Sequence, residues 1–396
     1  MIGKVLVIGG GMIVQDQVLP SLLHLKRLGK LGAIEVCSVR QSTIDALRNA
    51  ALARNGFVLY FPGMSFDTHA GSPDLYRDRI AALPPKSIVF IATPDPLHYE
   101  MAMAALRAGQ HVICVKPLAL RVEHAREIGR TARELGLFCG IEYHKRFDDR
   151  SLMARRRYRM GSFGHFRLGH ARLLEKWYYR ESNFQNWFTR ENSDAFTYIG
   201  CHYVDLVAFI TGLRPVAVSV FGIPDRFPNG NEGWLWTDAR VLWENGACLN
   251  VQNALSFPDA APGTNTQGLT MYCSGDSSGA LIEHSDQYRG LKYSYIGAAE
   301  GPGATQYAEP RYAEPSPDYF EYVEWSGPGM KPVGYGYRSI EALVEACERV
   351  TNDPSALAEI DAQGLLATPG NSDYNEQVIE AGRMSLERGG DLVRIS

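Results

Sequence analysis

The sequence predicts an α/β protein in two parts, a parallel sheet alternating with helices and then an open, mainly antiparallel sheet with helices on one face. Three observations predict this. Apolar runs alternate with helix-like stretches over the first 143 residues. Strand-like runs then follow one another with few helices between them. A length of 396 residues exceeds a typical single core, so domains are expected at 1–143 and 144–396.

The first apolar run, residues 4–8, ends in three consecutive glycines and then continues as helix-compatible sequence. Gly9 fits a tight turn after a strand, and Gly11 would let backbone N–H groups approach a pyrophosphate at a helix N-terminus. The third glycine position of such a turn is Val14, so the helix must stand further off or be repacked. The pattern indicates a Rossmann dinucleotide-binding domain, and its alternative is an ordinary tight turn.

The second predicted strand, residues 33–39, bears on which dinucleotide would bind. A dinucleotide site usually places an acid at the end of this strand, where it hydrogen-bonds the adenosine ribose. This chain has Ser38, Val39 and Arg40 instead. Without a carboxylate, and with an arginine that can pair with a phosphate, the pocket favours NADP over NAD, unless Arg40 is only a solvated surface charge.

Two further strands are predicted at 87–92 and 110–115, with a helix at 99–108 between them. Lys116 follows the second of these strands and precedes a proline. Ligands of open α/β sheets bind in the crevice at the carboxyl ends of the strands. Lys116 is therefore a candidate catalytic cation. The last strand of this sheet is predicted at 138–143.

Composition excludes several classes of function. The net charge of −4 gives no broad basic surface, so nucleic acid is not an expected partner. A strand-like run begins almost at Met1 and no apolar run approaches membrane-spanning length, so a cytoplasmic protein with no membrane contact is expected. The seven cysteines are scattered, odd in number and mostly within apolar runs. They are interpreted as reduced core residues, with no disulfide framework and no metal site.

The second part of the chain contains successive strand-like runs and two late helices. The long Pro-, Gly- and Tyr-rich stretch at 297–336 is interpreted as a loop that covers a surface or a subunit contact. Strands are predicted at 164–174, 215–223, 234–243, 247–257 and 269–274, and helices at 339–350 and 373–388.

A predicted helix beginning near Phe196 holds the second group of chemically active residues. Tyr198, His202 and Asp205 are spaced by four and three residues, which places them along one helical face. The ordinary pKa of histidine suits a group that takes and returns a hydroxyl proton. Tyr198 could donate to the same oxygen or orient a substrate hydroxyl, and Asp205 could fix the imidazole tautomer. A structural role for the histidine is the alternative.

In combination, these motifs and others resemble the glucose-fructose oxidoreductase, inositol dehydrogenase and rhizopine-catabolism family (Gfo/Idh/MocA). The resemblance implies an N-terminal Rossmann domain, a C-terminal domain that supplies the substrate pocket and homo-oligomer contacts (dimer or tetramer), and NAD(P)-linked chemistry on sugars, cyclitols or polyols. The matching segments are Ile91–Pro94 with His98, Ala105–Val112, Lys116–Pro117, Tyr143–Phe147, Gly200–Asp205 and the final helix.

Two positions depart from the family pattern. The family usually has a glutamate before the lysine, where this chain has Val115, and many of its dehydrogenases have an aspartate where this chain has Tyr198. The first difference changes the charge near the nicotinamide, and the second removes a carboxylate from the pocket. Lys116 and His202 match the family pattern at their positions. The resemblance therefore assigns the family's pair of basic residues to them.

The mechanism expected from this pair is hydride transfer from an alcohol carbon of a sugar to the nicotinamide. His202 would accept the hydroxyl proton while Lys116 stabilises the developing alkoxide. Residues expected at the cofactor are Gly9, Gly11, Met12, Ile13, Ser38, Arg40, Thr93, Pro94, His98, Lys116 and Pro117. Those expected at the substrate are Lys116, Tyr143, His144, Arg146, Trp177, Trp187, Tyr198, His202 and Asp205.

Other interpretations remain open at this point. Lys145 and Asp148, beside the expected substrate residues, are interpreted as surface charges, and the aromatic residues at 177–187 fit core or subunit packing as well as a sugar pocket. A redox-neutral glycosidase or lyase could use a tightly bound nicotinamide to oxidise its sugar transiently. A non-enzymatic sensor would have no need of Lys116 and His202. A hydrolase with two carboxylates is disfavoured because no closely spaced acidic pair is evident in the predicted crevice.

Overall fold

The computed structural model describes residues 1–49, 60–261, 265–275, 279–285, 293–296, 310–313 and 316–395. Within these ranges the chain forms one sheet of six strands, one of seven and two small two-stranded sheets. In the same ranges, no helix combines the length and apolarity that crossing a lipid bilayer requires.

The N-terminal sheet is fully parallel and has the strand order β3-β2-β1-β4-β5-β6, which confirms the predicted Rossmann architecture. Its inner strands are continuous apolar runs because helices cover both faces. The strands are β1 (Ile2–Ile8), β2 (Leu31–Ser38), β3 (Asp67–Ala70), β4 (Ile88–Ile91), β5 (His111–Val115) and β6 (Cys139–Glu142). The helices are Leu19–Arg27, Gln41–Asn49, Leu75–Ala81, His98–Arg107 and Val122–Glu134.

The chain after the glycine turn is not a simple α-helix. A π-helical turn, Val14–Val18, precedes the α-helix Leu19–Arg27. Val14 is fully buried at the position where a glycine would allow closer packing. The chain therefore enters its first helix through a π-helical turn that begins at a buried branched side chain.

The C-terminal sheet has the order β12-β11-β7-β10-β9-β8-β17, and every pair except β7 with β10 is antiparallel. This confirms the predicted open, mainly antiparallel sheet. Its strands are β7 (His165–Lys176), β8 (Pro215–Arg226), β9 (Glu232–Trp243), β10 (Cys248–Phe257), β11 (Asn265–Ser274), β12 (Gly279–Ser285) and β17 (Val393–Arg394).

Helices cover one face of this sheet, and the opposite face is open. The apolar core of this domain lies between the buried residues of the sheet and the helices Asp149–Arg159, Cys201–Thr211 and Tyr374–Glu387. Two other helices, Tyr335–Asn352 and Ala356–Gln363, instead contribute Leu343, Val344 and Ile360 to the core of the N-terminal sheet. The N-terminal domain is therefore completed by a distant part of the chain.

The stretch at 297–336 is not wholly a loop, and part of it lies outside the described residues. A hairpin, β15 (Glu321–Glu324) with β16 (Met330–Val333), folds back on the N-terminal domain, and β13 (Tyr293–Ile296) pairs with β14 (Pro310–Ala313). The Arg27 guanidinium donates to the carbonyl of Met330 at 2.7 Å. The hairpin thus covers a surface, as expected, but does so as paired strands.

Candidate active site

The glycine turn lies where the carboxyl ends of β1, β2 and β4 meet. Gly9 has a φ of +111°, and a Cβ there would lie 2.1 Å from the carbonyl oxygen of Ala92. Its N–H donates to the carbonyl of Cys37 at 2.9 Å. At Gly11 a Cβ would meet nothing within 4 Å. Gly9 therefore makes the close turn, while Gly11 leaves the backbone open at the start of the helical segment that contains Met12 and Ile13.

The end of β2 carries no acid. Ser38 is its last residue, and its hydroxyl accepts a 3.4 Å hydrogen bond from the N–H of Arg40. Arg40 is exposed. The carboxylate within the strand, Glu35, is buried and paired with Lys4 and Arg79, away from the strand end. This edge of the crevice therefore presents a hydroxyl and a guanidinium.

His98 ties together two loops at the carboxyl edge of the sheet. It is fully buried, and its ring nitrogens lie 2.7 Å from the carbonyl oxygens of Thr93 and Pro117. Thr93 and Pro94 follow β4, and Pro117 follows β5 through a cis peptide bond with Lys116. His98 therefore links the loops after β4 and β5, at the edge of the sheet where the cofactor is expected.

Lys116 projects from the end of β5 and meets Tyr198. The half-buried ammonium donates to the Tyr198 carbonyl and lies 3.8 Å from the centroid of the tyrosine ring. Burial raises the pKa of the Tyr198 hydroxyl, so it remains a protonated donor. Residues from the two domains, far apart in sequence, thus meet in one site.

His202 faces the same site from the helix Cys201–Thr211. Its buried ring has its centroid 4.8 Å from that of His144 and stands edge-on to Tyr143 at 6.0 Å. Burial first, and then the charge of Lys116, holds the pKa of His202 well below its ordinary value. Its Nδ1 is buried and has no hydrogen-bond partner among the described residues. The imidazole is therefore held in its neutral form.

Sequence reasoning missed a buried chain of hydrogen bonds behind His144. Glu142 lies 3.0 Å from His144 Nδ1 and accepts from Gln17 at 2.9 Å and from Ser339 at 2.6 Å. Burial alone would raise the pKa of Glu142, but the charge of His144 and these hydrogen bonds hold it below its ordinary value. Tyr319 donates to Gln17 at 2.9 Å. The carboxylate at the end of β6 was the signal that could have identified this network.

Two carboxyl groups that interact electrostatically with Lys116, those of Asp95 and Glu175, were also missed. Asp95, next to Pro94, is buried and accepts from Ser193 at 2.7 Å. Burial raises the pKa of Asp95 and of Glu175, and the charge of Lys116 opposes both shifts. Glu175 is half-buried at the end of β7 and is also hydrogen-bonded by Asn265.

Lys145 and Asp148 are buried, so their interpretation as surface charges is wrong. Lys145 donates to the side-chain carbonyl of Gln267, and its charge acts on both His202 and Glu175. Asp148 caps the helix Asp149–Arg159 by accepting from the N–H of Arg150 at 2.9 Å. Lys145 therefore belongs with the site, and Asp148 has a structural role.

Arg146 and Asp205, both expected at the substrate, instead form a closed ion pair with each other. The guanidinium makes two bonds to the carboxylate, one of them 2.8 Å long, and both side chains are buried. Tyr374 and Asn375 also donate to Asp205, at 3.1 and 2.8 Å. These contacts occupy both carboxylate oxygens, so the pair links two helices and the β6 exit segment.

The two tryptophans that were expected at the substrate lie in different surroundings. The half-buried Trp187 packs on Tyr198, with ring centroids 5.7 Å apart. Trp177 is half-exposed, and the Arg180 guanidinium lies 3.8 Å from its ring centroid. The structure therefore groups Trp187, rather than Trp177, with the residues around Lys116. Within the described ranges, no group of three His, Cys, Asp or Glu side chains is placed to hold a metal ion.

Comparison with known proteins decides the family. Residues 3–143 match the description "Oxidoreductase family, NAD-binding Rossmann fold" of GFO_IDH_MocA, and residues 151–274 match the C-terminal domain of the same family. The chain belongs to the GFO/IDH/MocA oxidoreductase family. This confirms the resemblance found in the sequence, including the order of the two domains.

Curated relatives match only over part of their length. The 1,5-anhydro-D-fructose reductase of Ensifer adhaerens is 46% identical over 130 residues, which is 31% of this chain and 37% of the relative. The D-glucoside 3-dehydrogenase of Escherichia coli (strain K12) is 31% identical over 134 residues, 33% of this chain and 37% of the relative. The aligned region thus spans little more than a third of these proteins.

Solved structures of other proteins share the fold over the whole chain. A levoglucosan dehydrogenase in complex with NADH and levoglucosan has a TM-score of 0.66 at 19% identity, with 100% of both chains covered. The scyllo-inositol dehydrogenase of Lactobacillus casei with bound NAD(H) and scyllo-inositol has a TM-score of 0.64 at 15% identity, covering 100% of this chain and 99% of that one. At such identities the likeness establishes the fold alone.

Proposed function

We propose that this protein is an NAD(P)-dependent oxidoreductase that transfers a hydride between nicotinamide and an alcohol carbon of a sugar, cyclitol or related polyol. The observation that carries this proposal is the meeting of Lys116, Tyr198 and a neutral His202 at the carboxyl edge of a Rossmann sheet. The names of the relatives point the same way, since they are sugar reductases and sugar or inositol dehydrogenases. None of these names favours the redox-neutral alternative.

The residues at the crevice fit a dinucleotide. The open backbone at Gly11, with Met12 and Ile13 beside it, suits the pyrophosphate, and Thr93, Pro94 and Pro117 line the edge toward Lys116. Ser38 and Arg40 leave the ribose end without an acid, which favours NADP over NAD.

The protein residues divide the proton chemistry between them. The nicotinamide supplies the hydride acceptor or donor, which no side chain provides. His202 takes the hydroxyl proton of the substrate because its imidazole is held neutral. Lys116 stabilises the developing alkoxide by charge, and Tyr198 donates to the same oxygen or orients a neighbouring hydroxyl. In reduction the steps run in reverse.

The remaining substrate contacts come from side chains around this pair. We assign hydroxyl recognition to Glu175, on which the charge of Lys116 acts, and to Lys145, whose charge acts on His202. Tyr143 and His144 lie beside the imidazole. The Trp187 ring offers an apolar surface for C–H groups of a sugar ring.

The proposal includes a homo-oligomer, a dimer or tetramer, formed through the open face of the C-terminal sheet. Large apolar side chains on this face are half-exposed in cross-strand neighbours: Phe221, Ile223 and Trp236 on one side, and Leu168, Tyr272 and Leu281 on the other. The seven cysteines are free and six of them are buried, which suits a reducing compartment such as the cytoplasm.

A panel of sugars, cyclitols and polyols, each incubated with NAD and with NADP, tests the function. Absorbance of the reduced nucleotide and the mass of the product are followed together. We expect reduced nucleotide to accumulate in step with a product that has lost two hydrogens, and faster with NADP. Lys116→Met and His202→Asn should each lower kcat by roughly a hundredfold or more.

Lys86→Met is the matched control, because this exposed lysine lies before β4 at the opposite edge of the sheet. It should retain the activity of the unaltered enzyme. Near-normal turnover by Lys116→Met would reject the role given to Lys116. A product formed with no net change in the nucleotide would reject net oxidoreduction.

A further inference from the structure

A second cavity lies away from the crevice, among four arginines. Its volume is about 180 Å³, and it opens between the C-terminal ends of the helices Asp149–Arg159, Cys201–Thr211 and Ala356–Gln363. The lining side chains that matter here are Arg146, Arg155, Arg159, Arg214, Phe209 and Tyr374. The hydride transfer proposed above uses none of them.

Positive charge in this cavity exceeds negative charge. Arg146 is neutralised by Asp205, and Arg214 lies 3.3 Å from Asp373. Arg155 and Arg159 have no carboxylate within 4.0 Å among the described residues. Two guanidinium charges are therefore left without a counterion.

The uncompensated arginines donate hydrogen bonds to backbone carbonyls among the described residues. Arg155 donates to the carbonyl of Gln363 at 2.8 Å, and Arg159 donates to that of Phe209 at 2.9 Å. Each carbonyl lies at a helix end followed by a glycine in the left-handed conformation, so each arginine acts as a C-terminal helix cap. Capping accounts for these donors, but the Nε of Arg155 is buried and has no partner.

The guanidinium groups are also crowded. Those of Arg146 and Arg155 both lie over the ring of Phe209, at 5.3 and 4.8 Å from its centroid. Burial lowers the pKa of Arg155 to about 10, and the charges of Arg159 and Arg146 add to this. A buried donor without an acceptor, beside a cavity and surrounded by like charges, is an arrangement that an anion would complete.

We propose that this cavity binds a phosphate group, either inorganic phosphate or the phosphoryl group of a phosphate monoester, held by Arg155 and Arg159. Phosphate suits the site because its several oxygens accept from two guanidinium forks at once and its charge matches the two uncompensated arginines. The bound group would connect the ends of three helices and so stabilise the C-terminal domain. The inference is independent of the proposed reaction.

Thermal unfolding of the full chain, titrated with inorganic phosphate or with glycerol phosphate at constant ionic strength set by sodium chloride, tests this site. We expect Tm to rise and saturate, and the half-saturating concentration to increase at least tenfold in Arg155→Gln and in Arg159→Gln. Arg157→Gln is the matched control, since this exposed arginine on the same helix does not line the cavity. The tighter of the two probes identifies the source of the phosphate.

A measurement on the unaltered protein covers the case in which an arginine variant fails to fold. Arginine modification by phenylglyoxal, read by peptide mass spectrometry, should slow severalfold at Arg155 and Arg159 in saturating phosphate but not at Arg157. Equal protection of Arg157 would overturn the proposal. So would a Tm rise that does not saturate, or one that is the same in Arg155→Gln and Arg159→Gln as in the unaltered protein.

Discussion

The residues around Lys116 differ from the family pattern at two positions, and the structure shows which carboxyl groups interact with the lysine. Val115 and Tyr198 occupy places where the family usually has acids, yet Lys116 still interacts with the carboxyl groups of Asp95 and Glu175. These acids come from the loop after β4 and the end of β7. The carboxyl groups that interact with Lys116 in this chain therefore come from positions other than 115 and 198.

Residue types at strand ends could be predicted from sequence, whereas their partners could not. Lys116, Tyr198 and His202 follow from strand ends and helical spacing, and the structure brings all three together. The closed pair of Arg146 with Asp205 does not follow from spacing, because the two residues lie 59 positions apart. A guanidinium at a strand exit looks the same in sequence whether it faces a ligand or a buried carboxylate.

The carboxyl group of Glu376 should make stability depend on pH. It is fully buried, and burial raises its pKa to about 8, so the folded form holds a proton that the unfolded chain releases above its ordinary pKa of 4.5. Stability attributable to this group therefore falls as pH rises from 4.5 to 8. Relative to Glu376→Gln, the unaltered protein should lose roughly 1 kcal/mol of unfolding free energy per pH unit in that window.

Denaturant unfolding of both proteins at several pH values between 5 and 8 measures this difference. The glutamine keeps an acceptor for the N–H of Leu118, which Glu376 binds at 3.1 Å. Glu380→Gln serves as the matched control, because Glu380 lies on the same helix at a half-exposed position and accepts from Val122. A constant gap between Glu376→Gln and the unaltered protein across this range would contradict the prediction.

At the scale of elements, the apolar runs predict most strands to within a few residues. The elements that were missed lack a clear pattern: β12 is exposed or only partly buried along most of its length, and the hairpin of β15 and β16 is half-buried without alternation. The π-helical turn Val14–Val18 also escapes prediction, since its apolar spacing does not distinguish it from the α-helix that follows.

The two glycines of the first turn should respond differently to substitution. Gly9→Ala places a Cβ against the Ala92 carbonyl at a positive φ, so we expect a loss of about 2 kcal/mol or more in unfolding free energy. Gly11→Ala meets open space and should keep the stability of the protein but weaken nucleotide binding. Chemical denaturation and nucleotide titration by fluorescence separate the two effects; equal stability of both variants would refute the distinction.

At the scale of the whole molecule, the division into two domains is not a division of the chain into two independent pieces. The predicted boundary near residue 143 marks the end of the parallel sheet, but the helices at Tyr335–Asn352 and Ala356–Gln363 return to cover it. The periodicity of a helix shows that it has an apolar face, but not which sheet covers that face. For this reason the return could not be predicted.

Tyr319 joins the returning segment to the N-terminal domain. The contribution of its hydroxyl should be measurable as a change in the free energy of unfolding. Tyr319→Phe removes the 2.9 Å bond to Gln17, so we expect a loss of about 1 kcal/mol in unfolding free energy and a lower kcat/KM. Tyr322→Phe is the control from the same segment, because its buried hydroxyl has no partner among the described residues. It should be neutral or slightly stabilising in the same denaturation experiment. A loss as large as that of Tyr319→Phe would argue against the assigned hydrogen bond.

The Glu142 carboxylate is held by Gln17 from near the start of the chain and by Ser339 from near its end. Anyone building a chimaera by exchanging C-terminal halves between members of this family must therefore match both donors. A donor half that lacks the serine would leave the Glu142 carboxylate behind His144 without one of its hydrogen-bond donors. A correctly folded hybrid could then be inactive because of this lost contact, far from the junction.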